Sequence, residues 1–149
     1  MALQFQIDLE GEKEFSRTLL IAIDGLQDFE PPLKRIGGEL HKTFQLNFDQ
    51  QGALFGKWAP RKPIIRAGQR IDTWPLLEKS GTMKASFYET VNPLSLQMGN
   101  KTPYFIYHQS KEPRERLPRR IMMKIDEDRR NFIVKALQAY IVTLLRGGR

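Results

Sequence analysis

The sequence predicts an α+β fold: a small, mostly antiparallel sheet covered by helices. Three observations carry that expectation. Residues 3–9 and 85–98 alternate apolar and polar side chains with a period of two, as half-buried strands do. Residues 12–26, 32–49 and 126–145 instead repeat their apolar positions at helical spacing. Between these patterns, residues 50–74 follow neither period.

Taken in order, Leu3, Phe5, Ile7 and Leu9 share one face of an N-terminal strand, which Gly11 ends. Phe15, Leu19, Ala22, Ile23 and Leu26 then form one stripe, with Glu12 and Glu14 at the favoured end of the helix dipole. Gly25 and Glu30-Pro31-Pro32 separate this helix from a second one. Proline suits the first helical turn, where its missing N–H has no partner to lose. The second stripe is Leu33, Ile36, Leu40, Phe44 and Phe48. Gly37-Gly38 within it weakens the helix by about 1 kcal/mol per glycine, and signals a close crossing or a kink.

Residues 50–74 contain Gly52, Gly56, Pro60, Pro63 and Gly68. A stretch this long without regular structure is usually functional or disordered. Leu54, Phe55, Trp58, Ile64, Ile65 and Trp74 argue against disorder. The expectation is an arm anchored at both ends and ordered by a partner. Residues 75–84 read as a short helical turn ending near Gly81. Residues 85–91 and 94–98 read as two strands joined at Asn92-Pro93. Tyr104–Tyr107 reads as an apolar strand end leading through His108-Gln109 into a charged crossing. Ile121–Ile125 offers a further short strand or an extended lead into the last helix. Asp126 is its N-cap, and Glu127 and Asp128 fill its first turn. Ile133, Ala136, Leu137, Tyr140, Ile141, Leu144 and Leu145 form its stripe, and Gly147-Gly148 stops it. Twenty residues make a rod of about 30 Å, long enough to cross a sheet.

A chain of 149 residues is read as one domain, residues 1–149, with the arm at 50–74 inside it. It has no cysteine, which excludes disulfides and thiolate metal sites. No apolar run approaches the roughly 20 residues that span a bilayer, and residues 1–15 lack a signal-type apolar region. The expectation is a protein made and used in a cytoplasm, without a membrane partner.

The formal charge is +7, from 24 basic and 17 acidic residues. Lys57, Arg61, Lys62, Arg66 and Arg70 follow one another with no acid among them. Such a run fits a polyanion-facing arm, whose binding would be steeply salt-dependent. Taken alone it fits a solvated loop better. Trp58 and Trp74 suit stacking on bases, although tryptophan in such a loop more often anchors it to protein. Arg114, Arg116, Arg119 and Arg120 lie among acids and suggest salt bridges or subunit contacts.

Only His41 and His108 are present, and neither stands in metal-ligand or nucleophile spacing. There is no phosphate-cradling glycine motif. No catalytic residue, metal or cofactor is expected.

Several short segments occur in a telling order. They are Gly56-Lys57-Trp58-Ala59-Pro60, then Leu76-Leu77 with Ser80-Gly81-Thr82-Met83-Lys84-Ala85-Ser86. Gly99 follows, with Pro103-Tyr104 and His108-Gln109, and finally Pro118-Arg119. In this order the chain resembles the virion morphogenesis, or tail-completion, family of tailed bacteriophages, over about residues 12–140. Met83 stands where that family usually has Leu, Ser110 where Gly usually follows His-Gln, and Arg120 where Pro-Phe usually follows the Arg. The choice among tail completion, head–tail joining and tail termination stays open.

The resemblance implies a non-enzymatic subunit in the virion neck, assembled in the host cytoplasm as a six-fold ring of itself. Its implied partners are head connector or head-closure proteins on one side and tail-terminator or tail-tube proteins on the other. Genome DNA would pass through the lumen without specific binding. On this reading Trp58, Arg61, Lys62, Arg66, Arg70 and Trp74 are arm contacts. Lys57, Arg66 and Arg70 are candidates to face the lumen. The alternative from another class is a standalone basic nucleic-acid-binding module built on residues 57–70.

Overall fold

The computed structural model describes residues 24–111 and 117–146. The expected N-terminal strand, nearly all of the first expected helix, the middle of the charged crossing and Gly147-Gly148 lie outside the described residues. Within them the fold is α+β. Its helices are α1 (Glu30–Asp49), α2 (Thr82–Ala85), α3 (Phe105–Gln109) and α4 (Glu127–Leu145). Its strands are β1 (Ile65–Arg66), β2 (Gln69–Arg70), β3 (Phe87–Asn92) and β4 (Ser95–Asn100). They form two separate antiparallel pairs, β1–β2 and β3–β4.

Helix α1 is the spine. It starts where Asp28 Oδ1 accepts the Glu30 amide (2.8 Å) and the prolines fill the first turn. Its stripe of Ile36, Leu40, Phe44 and Phe48 is buried as the spacing predicts. The stripe lies on the β3–β4 hairpin, which a two-residue turn at Pro93-Leu94 closes. Gly37 is the point of closest approach: a Cβ there would stand 3.1 Å from Leu96 Cδ1, whereas Gly38 faces open space. The close crossing that the glycine pair signals is therefore helix on hairpin, through one glycine. His41 Nδ1 reaches Glu89 Oε2 at 2.5 Å, a second tie between the same elements.

Phe87 is the hub of the core. Its ring meets Phe44 and Phe48 at 5.8 Å and Phe105 at 6.0 Å. Edge-on and tilted aromatic pairs at such spacings add to the gain from burial. Phe55, Trp58, Met83 and Met122 complete the buried cluster.

Four expectations are corrected. First, Gly81 does not end a helix but precedes α2, with φ at +71°. Second, Tyr104–Tyr107 is no strand. The β3–β4 ladder stops where the Lys101 amide donates to Ser86 O (3.0 Å), and the Phe105 amide then turns back to Thr102 O (3.1 Å). Aromatic strand propensity yields to this context. Phe105 goes inward, and Tyr104, Ile106 and Tyr107 stay exposed.

Third, Ile121–Ile125 joins no sheet. It is an extended lead whose backbone is held by side chains, described below. Fourth, α4 does not lie across a sheet. Its N-cap is Asp126, whose Oδ1 accepts the Arg129 amide (3.1 Å) as expected. Beside α1 its stripe is half-buried from Ile133 to Leu144, Leu145 is exposed, and no residue of the helix is fully buried. Tyr140 marks the far end of that contact. Its hydroxyl donates to Asp28 O (2.8 Å), and its ring meets Phe29 at 5.5 Å.

Candidate assembly interface

The arm divides into an inner half that belongs to the core and an outer half that projects from it. In the inner half, Gly52 has φ +89° and no room for a side chain, because a Cβ there would fall 2.3 Å from the Trp58 ring. That space is filled by Trp58, which is 3 % exposed. Its ring stands edge-on to Phe48 at 5.1 Å, and its Nε1–H donates to Ile121 O (2.9 Å). Asn47 Nδ2 donates to the same carbonyl (3.0 Å). Arg120, also buried, donates twice to Ala59 O (2.9 and 3.1 Å), and burial pushes its guanidinium below the ordinary arginine range. The inner arm is thus ordered by its own chain. The expectation that a partner orders it does not hold for residues 50–61.

At the base of the outer half sits a charge clamp. The Asp72 carboxylate is fully enclosed. Arg61 Nε lies 2.8 Å from its Oδ2, and Arg70 binds both of its oxygens at 2.9 and 3.1 Å. The Ile64 amide adds a fourth donor (3.1 Å). The Arg70 hydrogen bonds, foremost, hold this carboxyl well below the usual carboxylate range, and the Ile64 amide contributes. Arg61 also donates to Trp74 O and lies over the Trp74 ring at 5.0 Å, with Lys79 at 5.1 Å from the same ring.

Beyond the clamp, β1 and β2 form a short ribbon with a two-residue turn at Ala67-Gly68, both with positive φ. Lys62, Arg66, Ile64, Ile65 and Ile71 are exposed on it, Ile65 by 56 %. The ribbon and its flanks thus expose apolar and basic side chains side by side.

The sequence-level arm residues therefore part company. Lys57, Lys62 and Arg66 are solvent-facing. Arg61, Arg70 and Trp74 serve the clamp. Trp58 is a core residue, unavailable for stacking on a base. The motif residues also fall into place locally. Gly56 has φ +125° and Gly81 +71°, turn positions suited to glycine. Tyr104, Pro118 and Arg119 are exposed, and Arg119 Nε–H donates to Gln109 O (3.3 Å). The His108 carbonyl accepts the Arg120 amide (2.9 Å).

Gln109 stands apart from them. Its Oε1 accepts the amides of Met122 (2.8 Å) and Met123 (3.1 Å), and its Nε2 donates to Met123 O (2.6 Å). One side chain supplies what a neighbouring strand would. Asn47, Asp72 and Arg120 carry comparable weight, and the sequence reading singled out neither Asn47 nor Asp72. The one available signal was Asp72 as the first acid after a run of five cations.

A model of the phage virion morphogenesis family matches residues 11–142. The chain belongs to that family. No curated protein and no solved structure matches it significantly. Membership assigns it a structural role in phage morphogenesis. In the structure Trp58 is a core anchor, Gly81 a turn residue and Gln109 a backbone clamp. No described helix is long and apolar enough to cross a membrane.

Proposed function

We propose that this virion morphogenesis protein is a neck subunit that joins head to tail. In this role it assembles as a ring between the head connector and the tail, with DNA passing through the lumen. It acts by shape and contact, without catalysis. The observation that carries this reading is the clamped ribbon. Arg61, Arg70 and Asp72 tie the two ends of the ribbon together at its base, so Ile64, Ile65 and Ile71 are presented to a protein surface at little cost in ordering.

The nucleic-acid module loses ground on the same geometry. Two of the five arm cations are committed to Asp72, and Trp58 is buried. Light scattering on the eluting protein, beside a DNA titration across salt, tests the choice. A multi-subunit particle with negligible DNA affinity is expected. A monomer that binds DNA with a slope of several phosphates overturns it.

A further inference from the structure

We propose that the β1–β2 ribbon of one copy docks into an apolar groove on the next copy, and that this contact repeats around the ring. The inference rests on the ring reading above and names the two surfaces that meet. The groove has a volume of about 480 Å³ and is walled by Leu33, Ile36, Leu96, Met98, Ile125 and Ile133. Lys124 borders it, and no residue of its own ribbon lines it.

One wall is the outer edge of β4. In the β3–β4 ladder Asn92 and Ser95 close the two-residue turn, so the backbone groups of Leu96 and Met98 point away from β3. Among the described residues nothing pairs with them. Among the described residues the outward backbone groups of Ile65 and Arg70 on the ribbon are likewise unpaired, beside three exposed isoleucines. Adding a strand to such an edge supplies main-chain hydrogen bonds, while side chains fill the pocket.

Charges of both signs rim the groove, and two of the acids are exposed. Leu40 lines both this groove and an adjoining cleft that holds Glu39, Asp128 and Arg129, with Glu39 already paired to Lys42 (3.0 Å). Asp128 is 90 % exposed, with Glu127 exposed beside it. The incoming ribbon brings Lys62 and Arg66. Ring closure requires two different complementary surfaces on each subunit, and the ribbon and the groove are such a pair.

The test places a benzophenone amino acid at Ile125, which is 45 % exposed, so that the fold tolerates it. Labelled protein is mixed with an isotope-marked copy, irradiated and mapped by mass spectrometry, with light scattering in parallel. The expected product joins position 125 of one copy to residues 62–71 of another. Ile65→Glu should abolish it, lower the particle to a monomer and leave the melting temperature unchanged.

An oligomer whose cross-links run elsewhere overturns the pairing but spares the ring. Such products include one to residues 1–23, one between two groove residues, or none at all. A monomer with no inter-copy product overturns both.

Discussion

Gln109 and Met123 hydrogen-bond to each other twice, side chain to backbone, in the pattern of a strand pair. Nε2 donates to Met123 O at 2.6 Å, and the Met123 amide returns a bond to Oε1 at 3.1 Å. The lead into α4 is therefore fixed without a ladder. Met122, 0 % exposed, is thereby held in the core. Gln109→Leu preserves size but strands two amides and a carbonyl. An unsatisfied buried polar group costs about 1–3 kcal/mol. A loss of about 2–4 kcal/mol in urea denaturation is expected, on that same scale. A loss below 0.5 kcal/mol, roughly the noise of a surface substitution, would show that water replaces the clamp.

Trp58 ties the arm to the same lead through Ile121. Trp58→Ala removes a buried ring and should cost about 3–5 kcal/mol, enough to unfold many domains. Trp58→Phe keeps the apolar contact with Phe48 and should lose about 1–2 kcal/mol with the indole donor. Circular dichroism melts of the two variants check the order. An Ala variant as stable as the parent would return Trp58 to the surface.

The glycines separate space from backbone preference. Gly52→Ala meets the Trp58 ring and should destabilise strongly, by at least about 3 kcal/mol, as overpacking of a core does at its upper range. Gly81→Ala meets nothing within 4 Å and faces only its φ of +71°, which costs about 1–2 kcal/mol for a residue with a Cβ. Equal losses in denaturant melts would contradict the packing at Gly52.

Asp72 sets a pH dependence. Its folded carboxyl titrates below its unfolded value, so the folded state binds fewer protons and the clamp stabilises above about pH 4, the unfolded carboxylate range. The contribution fades as pH falls below that and through the lower folded value. Urea midpoints of the parent and Asp72→Asn should differ most at pH 6 and converge toward pH 2. A difference that stays constant across this range would remove the ionised clamp from the account.

How much of this was legible follows from range. The stripe on α1 and the Asp126 cap rest on neighbours within a few residues, so pattern suffices for both. Asn47 to Ile121 spans 74 residues and Arg120 to Ala59 spans 61, and no local pattern encodes either bond. Tyr104–Tyr107 misled because aromatic content suggests a strand, while the hydrogen bonds of Lys101 and Phe105 had already turned the chain. The run Lys57–Arg70 was visible as charge. Its division into clamp and ribbon depended on Asp72, which a basic-patch reading passes over.

The neck role is tested most directly by phage that carry a nonsense codon in the gene for this chain. Electron microscopy of their lysates should show filled heads and complete tails lying apart, and adding the purified protein should restore joined, infectious particles. Joined particles in the absence of the protein would contradict the account.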